Sequence, residues 1–147
     1  MNNVILLVED NPSDEKLTLL AFRTCGVANS VVVVRDGAAA IEHLLPSDPA
    51  APAAGLPAVV LLDLKLPKID GLEVLRRIRA DERTKVLPVV ILTSSKEEED
   101  ILQSYMLGAN AYVRKPVDFA TFAEAARTLG LFWLLMNEPP PAPDHGR

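Results

Sequence analysis

Carboxylates stand where apolar runs end in this chain, and those are costly places for a charge. In "AVVLLDLKLPKIDG", residues 58 to 71, branched apolar residues lead straight into Asp63. A buried carboxylate loses solvation, and without a partner it is forced neutral or destabilises the fold. "VILLVEDN" ends in the same way, in Glu9 and Asp10, while "VVILTSS" carries Thr93 and "AYVRKP" carries Arg114 and Lys115 before Pro116. If these ends meet, three carboxylates crowd together and raise one another's pKa values unless something positive intervenes. Mg²⁺ suits such hard oxygen ligands, because it keeps several waters and commonly joins one or two carboxylates to a phosphate. Lys115 supplies a second positive charge. A divalent ion and an ammonium around one carboxylate point to phosphoryl chemistry, since both offset charge on a transferring PO₃ group. A lone strand-end acid more often caps the next helix, but Leu66 and Pro67 separate Asp63 from the helix that follows.

The elements that must position these residues alternate regularly. Short apolar runs at Val4–Val8, Val31–Val34, Ala58–Leu62, Val89–Leu92 and Ala111–Val113 read as buried strands, each followed by a segment of helical period. Asn11 and Asp36 are suited to cap helices and Pro12 to open one. Leu17, Leu20 and Ala21 mark the inner face of the first helix, and Leu72, Leu75 and Ile78 that of the third. Ser95 and Glu98 have the spacing of a capping box, and the acidic run "EEED" suits a helix N-terminus. Five strand–helix units with uniformly apolar strands predict an α/β fold, a doubly wound five-stranded parallel sheet with five helices. The flavodoxin-like order 2-1-3-4-5 is the natural one, and it makes the first and third strands neighbours at the switch point where ligands bind.

Composition narrows the field. The chain has 147 residues, 49% hydrophobic and 24% charged, as in an ordinary globular domain. A net charge of −5 without a basic run argues against nucleic acid as a partner. No apolar run approaches the roughly 18 residues of a membrane span, and the start "MNNVILLVED" lacks a signal peptide's basic region, so a cytoplasmic protein without a membrane partner is expected. Cys25 is the single cysteine, which excludes an internal disulfide. His43, in an alanine-rich helix, and His145, in a proline-rich tail, read as surface residues.

With these positions in place, the chain resembles a response-regulator receiver domain of the chemotaxis type, through "VILLVEDN", "VVLLDLKLPKIDGLEVL", "VVILTSS" and "GANAYVRKP". The resemblance implies that Asp63 is the phospho-acceptor, that Asp10, Asp63 and the Lys65 backbone carbonyl bind Mg²⁺ directly, and that Glu9 acts through water. It also implies that Thr93 and Lys115 hold the phosphoryl oxygens, that Tyr112 follows Thr93 in switching, and that Pro116 follows a cis peptide. The donor would be a phosphohistidine on a sensor histidine kinase. The chain would not be an enzyme but a signalling acceptor that assists its own phosphorylation and dephosphorylation. Lys65 and Ser95 lie two residues after the acceptor and after Thr93, positions that in the family tune loss of the phosphoryl group. Lys65 is expected to lean toward the site.

Residues 1–136 are expected to form one receiver domain with an extended last helix, and residues 137–147 a proline-rich flexible tail. Phe119, Phe122, Ala126, Leu129, Trp133 and Met136 form a stripe for the sheet, whereas Leu131, Phe132, Leu134 and Leu135 fall largely outside it. A surplus apolar face marks an interface, here predicted to be a homodimer through the last helix. The insertion before the third strand, "LPKIDG" and the "LFWL" ending resemble single-domain regulators associated with phytochromes, which implies a bacteriophytochrome as the kinase. Rival readings are a receiver-shaped docking or dimerisation module that needs no phosphate, a phosphatase with an aspartate nucleophile, and a flavodoxin. The phosphatase pattern wants an Asp-x-Asp where this chain has Asp63-Leu64-Lys65, and "EDNPSDE" would repel a flavin phosphate.

Overall fold

The computed structural model describes residues 4–24, 31–47, 55–115, 118–138 and 140–141. Strands β1 (Ile5–Val8), β2 (Val31–Val34), β3 (Val59–Leu62), β4 (Val89–Thr93) and β5 (Ala111–Arg114) form one parallel sheet in the order β2-β1-β3-β4-β5. Helices α1 (Pro12–Thr24), α2 (Gly37–Leu44), α3 (Gly71–Ala80), α4 (Glu98–Met106) and α5 (Phe119–Leu131) alternate with the strands, and Phe132–Met136 continue α5 as a π-helical turn.

Alternation along the strands creates two cores. Ile5, Leu7, Val59, Leu61, Val90 and Leu92 face Ala21 and Phe22 of α1 and Leu129 and Trp133 of the last helix. Leu6, Val8, Val60, Leu62 and Ile91 face the opposite way, onto α2 and α3 through Ala40, Val74, Leu75 and Ile78. Each fully buried aliphatic side chain contributes about 1.5–3 kcal/mol, which holds the central strands rigidly and their ends with them.

Three local expectations need correction. In α1 the buried face runs through Thr18, Ala21 and Phe22, whereas Leu20 is 40% exposed. Thr18 tolerates burial because its hydroxyl donates to the Asp14 carbonyl at 2.8 Å. Helix α4 opens at Glu98 with Glu97 as its cap residue, not with a Ser95–Glu98 box. The Ser95 hydroxyl instead donates to Asp100 Oδ2 at 2.6 Å and accepts from the Glu97 amide, so the helix starts later. Met136 is 75% exposed and leaves the predicted stripe. The Asn137 amide donates to the Phe132 carbonyl five residues back, and this wider turn rotates Met136 off the face that Leu129 and Trp133 follow. Asn11 and Asp36 do cap α1 and α2, accepting from Ser13, Asp14 and Ala39 amides. Cys25, Pro116 with the peptide bond before it, and His145 lie outside the described residues.

Candidate functional site

Register brings the acids together. Val8 lies beside Leu62, so one residue further on Glu9 and Asp63 leave adjacent strands side by side at the carboxyl edge. Asp63 is tied there by its amide, which donates to the Val8 carbonyl at 3.2 Å. On the other side Thr93 pairs with Arg114, and the Lys115 amide donates to the Thr93 carbonyl at 2.7 Å, placing Lys115 at the same edge. Only glycine fits at 71, where a Cβ would lie 2.3 Å from the Asp63 carbonyl oxygen. The start of α3 therefore packs directly against the backbone of Asp63 and Leu64.

Glu9, Asp63 and Thr93 are buried, as is the side chain of Lys115, and Asp10 is exposed. The Lys115 ammonium donates to Glu9 Oε1, to Asp14 Oδ2 at 2.9 Å and to Asp63 Oδ2 at 3.0 Å. Asp63 Oδ1 accepts the Lys65 amide at 3.3 Å. Burial pushes Glu9 up to about 7, against the hydrogen bond and charge of Lys115. For Asp63 burial also pulls upward, but the Lys115 charge and hydrogen bond, helped by Thr93, outweigh it and hold the carboxyl below its ordinary value. Burial alone would lower Lys115; its bonds to Glu9 and Asp14 and the charge of Asp63 raise it instead. The acceptor candidate is thus ionised at neutral pH, as a nucleophile requires.

One carboxylate oxygen each from Glu9, Asp10 and Asp63 lie within 4.8 Å of one another. This all-oxygen donor set fits Mg²⁺, with exposed Asp10 leaving room for the waters such an ion retains.

The structure gathers Glu9, Asp10, Asp63, Thr93 and Lys115 as the sequence predicts. Half-buried Tyr112 lies on β5, its hydroxyl donating to the Ser95 carbonyl at 3.0 Å. The ion pair of Lys65 is with Asp100, at 3.8 Å, rather than with the acceptor toward which it was expected to lean. Two participants were not foreseen: Asp14, which shares Lys115, and Asp100, which joins Lys65 to Ser95. Asp14 was discoverable as the acid three residues into a helix that starts beside Glu9 and Asp10. Asp100 was hidden inside "EEED".

A doubly wound sheet with acids on two adjacent central strands, and a hydroxyl and a lysine on the next two, is the arrangement expected of a receiver domain. The chain belongs to the response regulator receiver domain family, whose model matches residues 5–127. Response regulator Rcp1 of Synechocystis sp. (strain ATCC 27184 / PCC 6803 / Kazusa) is 37% identical over 131 residues, 89% of this chain and 88% of Rcp1. The structure of the Mn(2+)-bound form of Rcp1 matches with a TM-score of 0.83 at 36% identity, covering 94% and 99% of the two chains. The phosphorylated cyanobacterial phytochrome response regulator RcpA matches with a TM-score of 0.87 at 38% identity, covering 96% and 100%. The bacteriophytochrome response regulator RtBRR is 53% identical with a TM-score of 0.72, covering 96% of this chain and 86% of RtBRR. The chain is therefore a two-component signalling module similar to phytochrome-associated regulators. Among the described residues no helix is long and apolar enough to cross a membrane.

Proposed function

We propose that this chain accepts a phosphoryl group on Asp63 from a phosphohistidine of a sensor histidine kinase. The carrying observation is the Asp63 carboxyl held by Lys115 at 3.0 Å beside the Glu9 and Asp10 carboxylates. Mg²⁺ would be held by Asp10, Asp63 and the Lys65 backbone carbonyl, with Glu9 acting through water, and would supply charge neutralisation for the transferring group. An Asp63 oxygen attacks phosphorus, the P–N bond to the imidazole breaks, and an acyl phosphate forms. Thr93 and Lys115 then bind phosphoryl oxygens. Tyr112 follows Thr93, because its hydroxyl already grips Ser95 on the same loop. The module is in this reading a switch whose two packings are biased by contacts available only after phosphorylation. Similarity to RcpA and RtBRR supports a bacteriophytochrome as the kinase, and exposed Phe132 and Met136 support a homodimer through the last helix.

Intact mass after incubation with Mg²⁺ and acetyl phosphate, and in parallel with a phosphorylated kinase domain, tests the acceptor. One labile phosphoryl group is expected, and Asp63→Asn should remove it. Unmodified protein from both donors would favour a docking module that needs no phosphate, and persistent turnover of the donor would favour a phosphatase.

A further inference from the structure

Beside the acceptor, outside the acid pocket, Asp100 makes two contacts that the transfer chemistry does not use. Lys65 Nζ pairs with Asp100 Oδ2 at 3.8 Å, and the same oxygen accepts the Ser95 hydroxyl at 2.6 Å. Ser95 is bound three times more: its amide donates to Thr93 Oγ1 at 3.4 Å, its hydroxyl accepts the Glu97 amide at 3.3 Å and its carbonyl accepts the Tyr112 hydroxyl at 3.0 Å. Asp100 therefore joins the loop after Asp63, through Lys65, to the loop after Thr93, through Ser95. The two ends differ in strength. Ser95–Asp100 is short and charge-assisted, with the Asp100 side chain only 16% exposed. Lys65–Asp100 is long, the Lys65 side chain is 68% exposed, and exposed ion pairs of this kind contribute little. Lys65 is thus parked rather than fixed. Its own amide already touches Asp63 Oδ1, and its long side chain can turn toward whatever that carboxylate carries.

We infer that Asp100 is a positioning residue for Lys65: it holds the ammonium off Asp63 until a phosphoryl group competes for it, and so sets the lifetime of the acyl phosphate. This rests on Asp63 being the acceptor. A phosphoryl group carries more charge than one carboxylate and lies nearer the Lys65 backbone, so it draws the ammonium away from Asp100. Hydrolysis needs a water oxygen to attack phosphorus opposite the Asp63 oxygen. The Oδ–P bond breaks, the carboxylate returns ionised, and both of the water's protons leave on inorganic phosphate as H₂PO₄⁻. An ammonium over the outer phosphoryl oxygens obstructs that line. Mg²⁺ and Lys115 already offset charge on the transferring group, so what Lys65 adds is this obstruction of the attacking water. Released Lys65 therefore prolongs the phosphoryl group, and Asp100 shortens its life by retaining the lysine.

The test is a double-mutant cycle on the phosphoryl half-life with Asp100→Asn and Lys65→Met, the latter preserving the backbone carbonyl. Asp100→Asn should lengthen the half-life about two- to fivefold, the equilibrium factor that an exposed ion pair carries. It should change nothing when Lys65 is already methionine, and Asp100→Glu should restore the native value. Equal effects of Asp100→Asn in both backgrounds, or none in either, would overturn the inference. A phosphate-free arm uses the ¹³C carboxyl resonance of Asp100, which Lys65→Met should move in the unphosphorylated protein. An unmoved resonance sinks the parking contact and leaves Asp63 as acceptor intact. Failure of every variant and of the native protein to take up phosphate, with the resonance shift present, would sink the acceptor reading and this inference with it.

Discussion

The Lys115 ammonium meets three carboxylates at once, those of Glu9, Asp14 and Asp63, with its side chain only 6% exposed. Removing one partner of a buried ionic cluster leaves the others uncompensated, which costs about 3–5 kcal/mol. Lys115→Met should accordingly lower the urea midpoint strongly in EDTA, and Mg²⁺ should raise it by more than it raises that of the native protein, because the ion becomes the pocket's main positive charge. A midpoint that moved equally with Mg²⁺ in both proteins would contradict the sharing of Asp63 between lysine and metal. At this scale the sequence was informative wherever a candidate site residue follows an apolar run: Glu9, Asp10, Asp63, Thr93 and Lys115 all stand at strand ends, and parallel pairing alone brings strand ends together. It was silent where partners meet from distant elements. Asp14 contacts a lysine 101 positions away, and Asp100 meets Lys65 across two loops, so no local spacing records either.

Helix α3 shows what an element contributes beyond its buried face. Gly71, Val74, Leu75 and Ile78 are buried on one side, while Glu73 accepts from both Arg76 and Arg77 on the other. Those two guanidinium hydrogen bonds pull Glu73 down to about 2 from an ordinary 4.5. The folded value lies below the unfolded one, so the stabilisation is present above the unfolded pKa and disappears as pH falls through about 2. Between pH 5 and 2 the native protein should lose more of its urea midpoint than Glu73→Gln does, and the difference should shrink in high salt because the cluster is exposed. Parallel losses would place the acid sensitivity elsewhere. Arg79 serves the same helix differently, its guanidinium donating to the carbonyls of Gly108 and Leu87 and so fastening the C-terminus of α3 to the ends of α4 and β4. Strands and caps were readable because uniform apolar runs and the Asn11 and Asp36 side chains encode local geometry. The starts and ends that failed did so for physical reasons. Ser95 spent its hydroxyl on Asp100, and the π-helical turn at Phe132–Met136 abandons the 3.6-residue period on which the Met136 placement depended.

Across the whole molecule, two sheet faces are covered by helices, yet the last turn leaves apolar surface in water. Phe132 is 43% exposed and Met136 75%, while Trp133 between them packs on the core and meets the Phe132 ring edge-on. Leu131 is half-buried, and the side chains of Leu134 and Leu135 lie outside the described residues. In the proposed homodimer a second copy covers this patch, two identical turns related by a twofold axis facing each other. A stable interface needs about 800 Å² from each partner, more than one turn offers, so neighbouring surface of α5 must join it. Each copy carries −5, so copies repel at long range and the proposed dimer would draw its attraction from apolar burial. Sedimentation should show a dimer that strengthens as salt screens the repulsion, and Phe132→Glu should leave monomer without altering phosphorylation of Asp63. A native chain that stays monomeric at high concentration, phosphorylated and not, would show that this turn has no second copy to cover it. Association that weakened with salt would instead assign the contact to ion pairs.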